Sequence, residues 1–309
     1  MEAELDPTGT IHLSKDVFKP EIKVCLLNQW KGAVIENFPI IKEILEETHR
    51  IKIVKDNSYD LVIDGVFSSA PIANNNSIKI FFTGEAKTPK IKGYDLSLGF
   101  DFLESSKNYV RMPLYYTYFT TKVSTEYTRE GTCTPNKPYF ACFLVSNSKS
   151  DKDGVLARND MFHALSEYKF VASGGKGFNN LGRKIPHEET NNFLSQCKFT
   201  IAYENTKNHP GYITEKLFQA YYAGSVPLYY SDKNAQKDAN PDAFISEQNF
   251  NSREEMIEFI KQVDQDDNKY CRIWNSKISI DSSKNYEAIK DKVRKVLRPE
   301  PKAIDYFPF

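Results

Sequence analysis

The chain has 309 residues, a length that fits two medium-sized domains. Its composition, 40% hydrophobic and 13% aromatic, excludes a disordered chain. With 41 basic and 41 acidic residues there is no global charge pointing to nucleic acid as a partner. The cysteines Cys25, Cys133, Cys142, Cys197 and Cys271 are odd in number, widely spaced and lack a C-x-x-C pair. They read as buried free thiols in a reducing compartment, ahead of a disulfide framework or zinc site. The amino-terminal MEAELDPTGTIHLSKD has no apolar signal-peptide core. No run approaches the roughly 18 apolar residues that cross a bilayer. A soluble or peripheral cytoplasmic chain is expected.

In chain order, residues 21–28 (EIKVCLLN) read as a buried strand, and residues 39–48 place Ile40, Ile41, Ile44 and Leu45 on one helical face. Strands follow at 51–54, 61–63 and 78–82. The segment 124–138, with TREGTCTPNKP, has the Gly, Pro and Thr content of a linker. The pattern then restarts: a strand at 139–145, a helix at 156–168, strands at 169–172 and 198–203, a helix at 214–223 ending at Gly224, a strand at 226–230, and a stripe of Met256, Ile257, Ile260 and Val263. This alternation predicts an α/β fold of two Rossmann-like, doubly wound domains facing across a cleft. The expected division is an amino-terminal domain at 1–135, a second domain at 136–280, and a carboxyl-terminal helix and tail at 281–309 packing back on the first. In open parallel sheets ligands bind beyond the carboxyl ends of the strands, so the chemistry is expected in loops after strands.

The richest such loop is 203–222, YENTKNHPGYITEKLFQAYY. A strand ends at Tyr203, and Thr214 can cap a helix whose first turn carries Glu215 and Lys216. A helix amino terminus offers unpaired N–H groups and partial positive charge, which suits a diphosphate. Lys216 adds a point charge, and Glu215 can accept from sugar hydroxyls. Taken alone, the same two residues read more simply as a dipole-favoured acid and a solvated neighbour. Arg158 opens an earlier helix and can grip phosphate with a bidentate fork, or merely sit on the surface. The loop Ser173-Gly174-Gly175-Lys176-Gly177 follows a strand and its glycines allow close approach to a ligand, though it lacks the P-loop spacing. Glu85 follows a strand at a glycine turn. Its plain reading is a solvated turn glutamate, and its chemical reading is a general base.

The order YEN, GYITEK, an aromatic-rich helix, SVPLYYSD and Asn240-Pro241-Asp242-Ala243-Phe244-Ile245 resembles the donor-binding signature of the α1,3/4-fucosyltransferase family. FFTGEAKTPKIKGYDLSLGFD at 81–101, followed by RMPLYY, is similar to that family's acceptor-domain motif. The resemblance implies a GT-B glycosyltransferase that moves L-fucose from GDP-fucose to a glycan hydroxyl with inversion, giving an α-linkage. It implies O3 of GlcNAc in an N-acetyllactosamine-type (Gal-GlcNAc) acceptor, and no required cofactor or metal. It assigns Glu85 as base, and Arg158, Asn205, Tyr212, Glu215 and Lys216 to the donor, with Gly174, Gly175 and Lys176 as a further donor loop. Protein glycosylation, Lewis-antigen and lipopolysaccharide O-antigen synthesis are the settings it implies. A Golgi-lumen location follows only if a native anchor has been removed. His209 and Pro210 stand where relatives often have Gly and Tyr.

Asp264-Gln265-Asp266 has the D-x-D spacing of metal-dependent transferases. It follows a helix instead of a buried strand, and reads as a solvated helix end. The helix at 284–298 carries Lys290, Lys292, Arg294, Lys295 and Arg298. It reads as a face packed on the first domain, with contact to an anionic membrane as the alternative. Two other functions stay open on the sequence: a related transferase using a different nucleotide sugar, and a non-catalytic nucleotide- or sugar-binding module.

Overall fold

The computed structural model describes residues 3–5, 11–13, 19–74, 76–103, 106–125, 127–129 and 131–298. By internal contact the chain forms two units. The first takes the chain through Gly99, Leu103–Arg111 and the chain from Glu287; the second takes Phe100–Phe102 and Met112–Tyr286. A short antiparallel pair, β1 (Ala3–Leu5) and β2 (Ile11–Leu13), lies at the amino end.

The first unit is built on a six-stranded parallel sheet of β3 (Glu21–Leu27), β4 (Arg50–Ile53), β5 (Leu61–Asp64), β6 (Ile78–Phe82), β7 (Leu96–Gly99) and β8 (Tyr109–Arg111), in the order β4-β3-β5-β6-β7-β8. Leu61, Val62 and Ile63 are fully buried, as a central parallel strand covered on both faces requires. Between β3 and β4, α1 (Pro39–Glu46) starts on a proline whose fixed φ suits the first helical turn, and buries Ile40, Ile41, Ile44 and Leu45. Phe38 gives it no side-chain cap. A missing cap costs about 1 kcal/mol, whereas each buried aliphatic side chain is worth roughly 1.5–3 kcal/mol, so packing decides this helix. The predicted strands at 21–28, 51–54, 61–63 and 78–82 correspond to β3–β6. Strands β7 and β8 were not foreseen, because four residues of LSLG and three of YVR carry no usable periodicity.

The second unit contains α2 (Tyr115–Tyr118), α3 (Thr120–Ser124), β9 (Tyr139–Cys142), α4 (Asp153–Tyr168), β10 (Val171–Ala172), α5 (Thr190–Ser195), β11 (Cys197–Ile201), α6 (Glu215–Tyr222), β12 (Val226–Tyr229), β13 (Ile245–Ser246), α7 (Arg253–Gln265) and α8 (Asp267–Asn275). Its five strands are all parallel, in the order β10-β9-β11-β12-β13. Met161 and Leu165 from α4, Phe199 from β11, and Met256, Ile260 and Val263 from α7 meet in one core. Both units are therefore doubly wound α/β sheets, the expected fold class.

The continuous part of this unit begins at Met112, ahead of residue 135. Tyr115 stacks on Phe218 of α6 with ring centroids 4.0 Å apart. Arg129 donates to the carbonyls of Tyr221 (2.8 Å), Ser225 (2.5 Å) and Trp274 (2.7 Å) and lies over the Tyr221 and Trp274 rings. The presumed linker is thus pinned at Arg129. The last helix, α9 (Ser282–Leu297), is divided by the unit boundary after Tyr286. Within the first unit Lys290 meets Glu43 at 2.7 Å, and Arg298 and Arg294 meet Glu47 at 2.8 and 3.6 Å. The tail from 299 onward lies outside the described residues.

Two expectations need correction. Cys133 pairs with Cys271 (Cα–Cα 5.6 Å) and Cys142 with Cys197 (Cα–Cα 5.7 Å), and only the buried Cys25 is free. The pairs join residues 138 and 55 apart, so spacing gave no cue. Asp264 is not a solvated helix end. Its side chain is buried against Lys169 (2.5 Å) and Lys198 (3.2 Å) and accepts from the Tyr168 hydroxyl at 3.1 Å, while Asp266 caps α8. Among the described residues there is no group of three or more His, Cys, Asp or Glu placed to hold a metal ion, and no helix is long and apolar enough to cross a membrane.

Candidate functional site

The strand order of the second unit locates its site. From β9 the chain goes to β10 on one side and to β11 on the other, so winding reverses between β9 and β11. At such a switch point the loops leaving the two strands splay apart and leave a crevice. A cavity of about 310 Å³ lies there. Its walls are Leu144–Asn147 in number order after β9, Ala202, Tyr203 and Asn205 after β11, Arg158 from α4, and Glu215, Lys216 and Gln219 from α6.

Arg158 is the buried cation of this cavity, 3% exposed. It donates through Nη1 to Asn205 Oδ1 at 2.9 Å and through Nη2 to the Asn147 carbonyl. Its Nε has no hydrogen-bond partner among the described residues. Burial lowers the guanidinium below its usual value, opposed by the nearby Glu204 carboxylate. A buried donor without a partner costs free energy, more when the group is charged, and a buried guanidinium on a cavity wall fits an anionic ligand.

The α6 amino terminus forms the opposite wall. Thr214 occupies the N-cap position, with φ −114° and ψ −161°, but makes no side-chain cap bond. The expected capping role is corrected: the hydroxyl lies 2.7 Å from Glu204 Oε2 instead. Glu204 is fully buried. It also accepts from the Thr214 N–H at 2.7 Å and the Tyr229 hydroxyl at 3.1 Å, and sits 3.2 Å from Lys216 Nζ. Burial works against charge on Lys216, yet Glu204 and Glu215 outweigh it and hold the amine above its ordinary value, firmly cationic. For Glu204 burial pushes the carboxyl up, with Lys216 opposing. Glu215 lies 3.4 Å from Lys216.

The loop joining β11 to α6 is held at several points. Asp153, at the start of α4, accepts from Thr206 Oγ1 (2.5 Å), the Lys207 N–H (3.0 Å) and the Tyr230 hydroxyl (3.1 Å). His209 Nε2 lies 3.2 Å from Asp101. Gly211 has φ +81°, and a Cβ there would meet the Phe100 carbonyl at 2.5 Å, so only glycine fits.

The structure brings Arg158, Asn205, Glu215 and Lys216 to one cavity. It places Tyr212 elsewhere: the ring is buried, edge-on to Phe100 at 4.9 Å, and is not part of the cavity wall. Gly174, Gly175 and Lys176 do not line it either. The close approaches of these glycines are to protein, since a Cβ would meet Ile185 at 2.4 Å from Gly174 and the Val145 carbonyl at 2.4 Å from Gly175. Asn147, Asp153 and Glu204 were missed. Glu204 was visible only as the middle letter of YEN, with nothing to mark it as buried.

Glu85 belongs to the first unit, just beyond the carboxyl end of β6. The Thr83 hydroxyl accepts from its N–H at 3.1 Å, fixing the turn, and its side chain is partly exposed. A second polar crevice in this unit lies at the winding reversal between β3 and β5, where Asn28 donates to the buried Asp64 at 2.6 Å and Lys90 sits 3.4 Å from it. A cavity of about 390 Å³ near Phe244, Phe259 and Arg272 is larger than the one at Arg158. It gathers none of the expected site residues, and volume alone does not outweigh the charge and backbone donors at the switch point.

Comparison with known proteins bears on the family and the fold. Residues 134–296 match the model for glycosyltransferase family 10 (fucosyltransferase), C-terminal part, and residues 24–118 match the N-terminal domain of alpha-(1,3)-fucosyltransferase FucT. The alpha-(1,3)-fucosyltransferase FucT of Helicobacter pylori is 29% identical over 81% of this chain and 59% of its own length. The human 4-galactosyl-N-acetylglucosaminide 3-alpha-L-fucosyltransferase 9 is 32% identical over 46% of this chain and 38% of its own. The chain therefore spans well under two thirds of these relatives. A solved alpha1,3-fucosyltransferase with GDP-fucose superimposes with a TM-score of 0.73 at 26% identity, covering 94% of this chain and 95% of that one. The phage T4 beta-glucosyltransferase shares the fold alone, at 12% identity and a TM-score of 0.51. With more than half of its length matching the family model, the chain belongs to the glycosyltransferase family 10 fucosyltransferases.

Proposed function

We propose that this protein transfers L-fucose from GDP-fucose to a glycan hydroxyl, with the cavity at Arg158 holding the donor diphosphate. The observation that carries this reading is that the buried Arg158 lines one cavity with Lys216 and the α6 amino terminus, which has no side-chain cap. Arg158, Lys216 and the helix terminus set positive potential in one small volume against the carboxylates of Glu204 and Glu215, and negative charge grows on a diphosphate as it leaves. Asn205 and Glu215 supply hydrogen-bond partners for hydroxyls. Tyr212 packs edge-on against Phe100, and Gly175 lies against the backbone of Val145, which is itself part of the cavity wall.

In the reaction an acceptor hydroxyl attacks the anomeric carbon of fucose, its proton passes to the Glu85 carboxylate, and the bond from the anomeric carbon to the diphosphate breaks to release GDP. Attack opposite a β-linked leaving group gives an α-linked product. O3 of GlcNAc in a Gal-GlcNAc acceptor is the proposed position, by similarity to relatives named for that linkage. We place the acceptor domain at 1–135 and the donor domain at 136–280, consistent with family matches ending at 118 and beginning at 134. The cytoplasmic setting read from free thiols loses that support, since Cys133 pairs with Cys271 and Cys142 with Cys197. Contact with an anionic membrane through α9 finds little support, since Lys290, Arg294 and Arg298 are already engaged by carboxylates of the first unit.

The test combines calorimetric titration of GDP with turnover of GDP-fucose on an N-acetyllactosamine acceptor. Arg158→Ala is expected to weaken GDP binding by about tenfold or more, as loss of a charged hydrogen-bond donor would. Glu85→Gln is expected to abolish transfer while GDP still binds. Tighter binding of UDP or CDP than GDP would point to a different nucleotide sugar, and wild-type turnover by the Glu85 variant would refute the base. Turnover lost in EDTA and restored by a divalent cation would add a metal to the account.

A further inference from the structure

Glu204 takes no place in the reaction as just described, and it does not line the cavity. It is nevertheless the most densely engaged carboxylate beside it. Fully buried at the exit of β11, it reaches Thr214 and Lys216 at the start of α6 and Tyr229 at the end of β12, residues 10, 12 and 25 positions along the chain. A carboxylate carries about four lone-pair sites, and here the two oxygens receive the Thr214 N–H and hydroxyl, the Tyr229 hydroxyl and the Lys216 ammonium.

Burying a carboxylate in a place where it touches no ligand is costly, and packing alone does not require it: an apolar side chain would fill the same volume more cheaply. What the charge does is fix a neighbour. Lys216 has four rotatable bonds and a one-quarter exposed side chain, and its ammonium meets Glu215 at 3.4 Å as well as Glu204 at 3.2 Å. Glu204, together with the Thr214 hydroxyl at 2.8 Å from Nζ, holds the ammonium at the inner end of α6. The same contact draws the Thr214 hydroxyl away from the cap position, so that one carboxylate both places the lysine and leaves the helix terminus without a side-chain cap.

We infer that Glu204 is a positioning residue for nucleoside-diphosphate binding, acting through Lys216 and Thr214 and not by touching the ligand. This rests on the donor-site reading above, and the experiment separates the two. GDP affinity is measured by calorimetry on the full chain for Lys216→Met, Glu204→Gln and the double variant, with thermal melting as the control for folding. Lys216→Met is expected to raise the Kd for GDP about tenfold, and Glu204→Gln about five- to tenfold, because glutamine keeps the size and some hydrogen bonds but not the charge that holds the ammonium. The double variant is expected to bind within about twofold of Lys216→Met, since residues acting through one another are not additive.

A Glu204→Gln protein that melts lower but binds GDP as the wild type does would reduce Glu204 to a structural role and overturn the inference. Tighter binding would show the carboxylate acting as a brake on the site's positive charge, and fully additive losses would show it acting by another route; each outcome also overturns it. If neither Arg158→Ala nor Lys216→Met affects GDP, the donor site itself is misplaced and the inference falls with it. Should Glu204→Gln not fold, Thr214→Val removes the hydroxyl bridging Glu204 and Lys216, and is held to the same expected loss and the same non-additivity.

Discussion

Gly154 sits in the first turn of α4, a position where helix propensity alone favours alanine by about 0.8–1 kcal/mol. Substitution to alanine should therefore stabilise the protein if nothing lies near. The structure reverses that sign. A Cβ at this position would lie 2.1 Å from the Glu204 carbonyl oxygen, 2.6 Å from the Asn205 carbonyl carbon and 2.8 Å from its oxygen. All three atoms are backbone, so no rotamer change relieves the collision, and the Gly154 N–H already binds the Asn205 carbonyl at 3.2 Å. Overpacking costs about 1–3 kcal/mol, and a 2.1 Å approach to backbone puts this site in the upper part of that range, about 2–3 kcal/mol, so after the propensity gain Gly154→Ala is expected to lose about 1–2 kcal/mol net. For a unit of this size that lowers Tm by roughly 2–8 °C. Because the displaced backbone carries Asn205 and Glu204, the Kd for GDP should rise as well. Thermal unfolding and calorimetry on the purified variant read both effects. An unchanged or raised Tm would refute the close approach of α4 to the β11 exit, and with it the reason given for a glycine in a helical turn.

The remaining predictions concern charge and thiols. Burial alone would raise the Asp264 carboxyl, but Lys169 and Lys198 outweigh it and hold it below the usual carboxylate range. Its contribution to stability is thus complete above the unfolded value near ~4 and is lost as pH falls through the lower folded value. Asp264→Asn leaves the buried Lys198 without its nearest counter-charge. It should cost about 3 kcal/mol at pH 7 in urea denaturation, and less as pH falls below the unfolded value, where wild type itself begins to lose the contribution; equal stabilities at pH 7 would remove the pairing from the account. Thiol titration in denaturant without reductant should read one cysteine, Cys25, and five after reduction. Five before reduction would restore the free thiols read from the sequence.

The alternating fold was legible because its signals are local. Ile40, Ile41, Ile44 and Leu45 announce an amphipathic helix, and Leu61–Asp64 a covered strand, without reference to any other part of the chain. What was not legible depends on partners far away in sequence. β13 is two residues long, and only pairing with β12 makes Ile245 and Ser246 a strand. The segment before residue 135 has the composition of a linker, and composition cannot show that Arg129 finds three carbonyls 92 to 145 residues further on. Asp264 has the spacing of a metal motif, and only Lys169 and Lys198 beside it make it a buried ion-pair member.

The site divides along the same line, and the division has a physical cause. Arg158, Asn205, Glu215 and Lys216, the proposed donor residues that line one cavity, could be singled out because groups suited to a charged ligand are charged or polar and sit at strand exits or helix starts, both of which the sequence displays. Residues that hold those groups in place obey no such rule. Asp153 and Glu204 are ordinary acids by type, and what distinguishes them is the set of donors that tertiary structure brings to them: Thr206, Lys207 and Tyr230 for one, Thr214, Lys216 and Tyr229 for the other. Tyr212, Gly174 and Gly175 show the converse, since an aromatic ring and a flexible turn suit a ligand and a protein neighbour equally well, and here Phe100, Ile185 and Val145 stand closest. Sequence thus exposes the groups that touch a ligand sooner than the groups that aim them. A fully buried carboxylate between a strand exit and a helix start is therefore where a structure adds most to a motif already recognised.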